Sequence, residues 1–152
     1  MSSSYTLFKQ IIDLSRARNW DEAKKEWRFK DFSQGIADVT CLCGKCSISK
    51  VFTLHNRYTE SKIGIGSSCI RKFIPFTDKT LRNNAIEVLQ DNTKQFHLNI
   101  MNQCVAQGII DQIELFHYLP VRKRKSIEPR KLEHRIAVNK RVASSLMDIC
   151  NL

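Results

Sequence analysis

Four cysteines sit close together in the chain: Cys41, Cys43, Cys46 and Cys69 fall within 29 positions, while Cys104 and Cys150 stand alone. Thiolates are soft, charged ligands, and Zn2+ takes four such ligands in a tetrahedron at roughly 2.3 Å from each sulfur. The string Cys41-Leu42-Cys43-Gly44-Lys45-Cys46 has the form of a zinc knuckle, in which a small residue lets backbone amides turn toward the sulfurs and stabilise their charge. Cys69 offers the fourth sulfur at the start of an expected helix, where the helix dipole favours a thiolate. The expected ligands of a Zn2+ ion are therefore Cys41, Cys43, Cys46 and Cys69. His55, at the end of an expected strand, is the rival fourth or replacement ligand. A disulfide framework is not expected. Its cysteines would be spread along a short secreted chain, whereas Lys9 and Asp13 interrupt an N-terminus without a basic start and apolar block. A reducing, intracellular compartment is the expectation. Cys104 and Cys150 fall on apolar helical stripes and are expected to be small core residues.

A second chemistry is electrostatic. Lys and Arg number 25 against 15 Asp and Glu, a formal charge of +10 in 152 residues. Such an excess favours acidic partners, nucleic acid foremost. The stretch from Val121 to Ala143 carries nine basic residues against two acidic ones. Within it, Arg122-Lys123-Arg124-Lys125 runs uninterrupted through an expected linker, 121–129. Phosphate neutralisation by these four residues, with Arg71 and Lys72 beside Cys69 assisting, would give salt-dependent and sequence-tolerant binding to DNA or RNA. No helix combines the Asn, Gln and Arg needed to read base edges. No P-loop, GxSxG or HExxH string is present. No apolar run approaches the roughly 20 residues of a membrane span.

The elements that must hold these residues are mostly helical. Leu7, Ile11 and Leu14 mark a first helix, and Asn19 with Glu22 reads as the capping box of a second that would share Trp20, Ala23 and Trp27 on one face. Those tryptophans are expected in the core rather than as base-stacking rings. Residues 30–39 read as a connector. Val51-Phe52-Thr53-Leu54, a polar turn and Ile63-Gly64-Ile65 read as a β-hairpin, with Asn56 supporting the turn through its side chain. Ser67 or Ser68 would cap a helix through Phe73, stopped by Pro75. Beyond it come helices carrying Leu81, Ala85, Val88 and Leu89, then Phe96, Ile100 and Cys104, then an Asp111/Glu114 capping box followed by Ile113, Phe116 and Leu119. A last helix would turn Leu132, Ile136, Val142 and Leu146 inward, and His97 and His117 are expected half-buried. The expected fold is mainly α with a small zinc-bound β-hairpin, treble-clef-like module. It divides into an N-terminal helical segment, 1–30, the zinc module, 38–76, and a C-terminal helical region, 77–152.

The stretch from Trp20 and Trp27 through Cys41-Leu42-Cys43-Gly44 and Asn56 to Gly66-Ser67-Ser68-Cys69-Ile70-Arg71-Lys72-Phe73 resembles small zinc-finger-like proteins of phages, prophages and large DNA viruses. The overlap covers about a third of the chain. It implies zinc, a viral or mobile-element type and a host cytoplasm or nucleus, and carries no activity with it. Those proteins often place His where this chain has Cys46. A fainter likeness, in His55-Asn56, Thr59, Gly64, Gly66 and Cys69, is to zinc-bearing HNH nucleases. This chain lacks their acidic neighbour of the catalytic His and their second helix ligand. The leading expectation is a non-enzymatic, nucleic-acid-associated zinc protein. The alternatives are an adaptor or inhibitor of a host protein with structural zinc, and an HNH-like nuclease using His55.

Overall fold

The computed structural model describes residues 3–35, 38–119 and 128–149. About half of the chain is helical, with one small antiparallel sheet. Two compact units divide between Pro75 and Phe76, the first also taking in Leu146–Asp148.

In the first unit, α1 (Ser3–Asp13) buries Leu7 and Ile11. Asn19 caps α2 (Trp20–Ala23) by accepting from the Glu22 amide. The expected second helix is cut short. After a single 3-10 turn, Lys24–Glu26, Trp27 opens strand β1 (Trp27–Gln34). The first half of the expected connector, 30–34, is thus strand. Its signal is scrambled by a bulge: Phe29 pairs with Leu54 and Asp31 with Thr53, leaving Lys30 extra. The apolar residues then fall at 27, 29 and 32 rather than in strict alternation. Trp27 is fully buried, its Nε1 donating to Ser15 Oγ, while the half-buried Trp20 ring packs on Phe8 and Phe73 at 4.3 and 5.1 Å.

Strands β2 (Lys50–Asn56) and β3 (Lys62–Ile65) form the expected hairpin, and β1 completes the order β1-β2-β3. Asn56 is fully buried, and its side-chain carbonyl accepts from the Tyr58 and Thr59 amides, so it holds the turn as the sequence led us to expect. Its amide group donates to Glu26, a buried carboxylate that also accepts from the amides of Arg16 and Ala17 at 2.8 and 2.7 Å. Burial works to raise the pKa of Glu26, but those three donors and the nearby Arg16 charge outweigh it and hold the carboxyl below its ordinary value. Helix α3 (Ser67–Phe73) follows, its N-cap being Gly66 and not a serine.

The second unit is helical. Asp78 caps α4 (Lys79–Gln90), and His97 caps α5 (Leu98–Ala106). Asp111 and Glu114 close the expected capping box on α6 (Gln112–Tyr118). Its inward face is not the expected one. Ile113 and Phe116 are 70% and 76% exposed, and the buried residues are Leu115 and Tyr118. Tyr118 can go inside because its hydroxyl is satisfied, accepting from the Phe96 amide and donating to Asn139 Oδ1, each at 2.7 Å. Asn139, on α7 (Pro129–Ser144), completes the network by donating to the Asn92 and Lys94 carbonyls. On α7, Val138, Val142 and Ala143 are buried, whereas Leu132 and Ile136 are only half-buried. His97 and His117 are exposed, correcting their expected half-burial.

Candidate metal centre

The loop before β2 and the first turn of α3 bring three sulfurs together. Those of Cys41, Cys43 and Cys69 all lie within 4.8 Å of one another. Three cysteines so placed can hold a metal ion. Cys41 and Cys69 are buried, and Cys43 is half-buried. Two local features aim the knuckle. The Gly44 amide donates to the Cys41 carbonyl, and the Cys41 amide to that of Lys45, closing a tight turn with Gly44 at φ +98°, a conformation glycine adopts without strain. The Leu42 amide donates to the Gly64 carbonyl at 3.3 Å, tying the knuckle to the outer edge of β3.

The electrostatics of the cluster are those of a thiolate nest. Cys41 Sγ lies 3.5 Å from Cys69 Sγ and accepts from the Gly66 amide at 3.3 Å. The Cys69 thiol foremost, with the amides of Cys43 and Gly66, brings Cys41 down to a pKa of about 5 against the pull of burial. Cys69 is pushed up, first by its bond to Cys41 and then by burial, so its thiol holds its proton more tightly than that of Cys41. A bound cation would displace it, because coordination deprotonates thiols outright. Beside the sulfurs opens a cleft of about 200 Å3, whose lining includes Lys45, Ser47, Lys50 and Ser68. In the sequence Lys45, Ser47 and Lys50 are marked only by proximity to the knuckle, and Ser68 only as a candidate helix cap.

The other expected residues are placed as follows. Cys46 is exposed, and its sulfur faces the Gly44 carbonyl at 3.8 Å, outside the group of three. His55 is also outside it. Its Nε2 lies 3.0 Å from Glu60 Oε2, and it pairs with Lys62 in the sheet, toward the turn of the hairpin. Arg71 and Lys72 are exposed on α3, whereas Arg122, Lys123, Arg124, Lys125 and Cys150 lie outside the described residues. Cys104 is fully buried on α5, and burial pushes its thiol up to about 12. Cys104→Ser should therefore leave metal content untouched and cost only packing, about 1–3 kcal/mol for a buried hydroxyl. Metal analysis and urea unfolding of the variant check both halves; loss of metal would mean a different ligand set. Among the described residues, no helix is long and apolar enough to cross a membrane. Comparison with family models, curated proteins and solved structures finds no match to the chain.

Proposed function

We propose that the protein is a zinc-ordered, non-enzymatic nucleic-acid-binding protein of the phage, viral or mobile-element type that its central stretch resembles. The carrying observation is the group of three sulfurs, assembled from two separated segments. Cys46, three residues beyond Cys43, completes the tetrahedron by turning its exposed side chain inward. Knuckle, hairpin and ligand-bearing helix then form a treble-clef-like module with Zn2+ as its structural ion. The charge of +10 supplies the affinity for nucleic acid, through Arg122, Lys123, Arg124 and Lys125 with Arg71 and Lys72.

Fluorescence anisotropy with unrelated DNA and RNA sequences at several salt concentrations tests the reading. If about four phosphates are neutralised, log affinity falls against log salt with a slope of about −3 to −4. Replacing Arg122, Lys123, Arg124 and Lys125 by Ala flattens that slope and weakens all sequences alike. No binding at low salt, or a quadruple variant that binds as before, would overturn it.

A second reading, a host-protein adaptor, draws on the exposed Ile113 and Phe116 of α6, an apolar surface that a protein partner would cover. Retention of a partner from host lysate after nuclease treatment, lost on Phe116→Ser, would favour it. The nuclease alternative has less support, since His55 is held by Glu60 and stands apart from the cysteines.

A further inference from the structure

The turn of the β2–β3 hairpin carries an exposed aromatic ring flanked by two cations. Tyr58 is 44% exposed. The guanidinium carbon of Arg16 lies over its ring at 4.1 Å from the centroid, and that of Arg57 at 4.7 Å. Both arginines are exposed, and among the described residues neither lies within ion-pair distance of a carboxylate. A guanidinium held over a ring keeps its N–H edge available for other acceptors.

This arrangement is built from beneath. Arg16 and Arg57–Tyr58 belong to segments far apart in sequence, and the buried Glu26–Asn56 pair fixes both. Glu26 accepts from the Arg16 amide and binds the Asn56 side chain, while Asn56 accepts from the Tyr58 amide. The Arg57 amide also donates to the Glu26 carbonyl at 3.0 Å. A third cation, Arg28, stands nearby but is engaged by Asp148 at 2.7 Å. The acidic Glu60 of the same turn is engaged by His55. The net local character is therefore cationic around one aromatic ring.

We propose that Tyr58, Arg16 and Arg57 form a stacking platform for single-stranded nucleic acid, in which one base stacks on the tyrosine–guanidinium pile and the guanidinium edges take the flanking phosphates. The pairing of a π-face with phosphate donors favours an unpaired strand, because a duplex hides its base faces. An acidic peptide would satisfy the guanidiniums but offer the ring nothing to stack. The site rests on the nucleic-acid reading above and uses residues other than the 122–125 run.

The test is anisotropy with labelled oligothymidylate, its duplex counterpart and poly-glutamate as probes. Tyr58→Ala should weaken oligothymidylate binding by about 5- to 100-fold, the usual worth of one stacked base, while Tyr58→Phe keeps it. Arg16→Ala and Arg57→Ala should each lower the salt slope by about 0.7, the single-strand value per phosphate. Zinc content and the unfolding midpoint of each variant should match the parent, since all three side chains are exposed. If the parent binds oligothymidylate and Tyr58→Ala binds it equally, the platform is overturned while the nucleic-acid reading stands. If the parent binds no nucleic acid, both fall. Poly-glutamate bound as tightly as oligothymidylate, or binding confined to duplex, also overturns it.

Discussion

Cys69→Ser should yield protein without metal and with the close packing of its first unit lost. Cys69 is the one sulfur of the group contributed from beyond the hairpin, so its loss would sever the link that a bound ion would make between knuckle and helix. Structural zinc in small fingers supplies folding free energy on the order of 10 kcal/mol, more than the margin of most domains of this size. The first unit has a hydrophobic core of its own around Trp27, Phe52 and Phe73. The expected product is therefore a compact but poorly packed state rather than a random coil. Metal analysis of the purified variant, with near-ultraviolet circular dichroism of its tryptophans, reads the result. A full complement of metal in Cys69→Ser would sink the ligand assignment. Chelation of the unmodified protein should reproduce the variant's spectrum.

The second large effect is at Glu26. Its replacement by Ala leaves the Arg16 and Ala17 amides and the Asn56 side chain without their acceptor. Each buried donor left unsatisfied costs about 1–3 kcal/mol. The same carboxylate gives the protein an acid limb. Its folded pKa lies below the ordinary value of 4.5, so the ionised form is the one that the fold prefers. That stabilisation is complete above the unfolded value and disappears as pH falls through the folded one. Glu26→Gln should therefore be less stable than the parent at neutral pH, and the gap should narrow as pH falls below 4.5 and through the folded value. Urea midpoints of both proteins across that range decide it; a gap independent of pH would show that the charge is not what the site uses.

The sequence made some of this legible because certain residues speak locally. Asn56 reads as a turn residue, Asp111 with Glu114 as a capping box, and both do that in the structure. The hairpin strands and most helices of the second unit follow from apolar spacing for the same reason. What escaped was decided by contacts distant in sequence. Strand β1 hid behind the bulge at Lys30, which breaks the two-residue period. The inward face of α6 was misjudged because Ile113 and Phe116 are the more apolar choice, whereas Tyr118 is admitted inside only by Asn139 and the Phe96 amide. Glu26 carried no signal at all, since a glutamate at the end of a short helix is ordinarily solvated. In the candidate centre, the proximity of Cys41, Cys43 and Cys69 followed the order of knuckle, hairpin and helix, and the exposed position of Cys46 did not.

The bond from the Leu42 amide to the Gly64 carbonyl would couple metal binding to self-association. Strand β3 is the last in its sheet, and the knuckle loop bonds to its outer side at Gly64. A loop released from its ion would bare that row of donors and acceptors, which is a template for pairing with another chain. Metal-depleted protein would then be lost from solution in proportion to its concentration, through strand addition at β3, and light scattering of the Cys69→Ser sample would register it. The ion in that case guards solubility as much as shape.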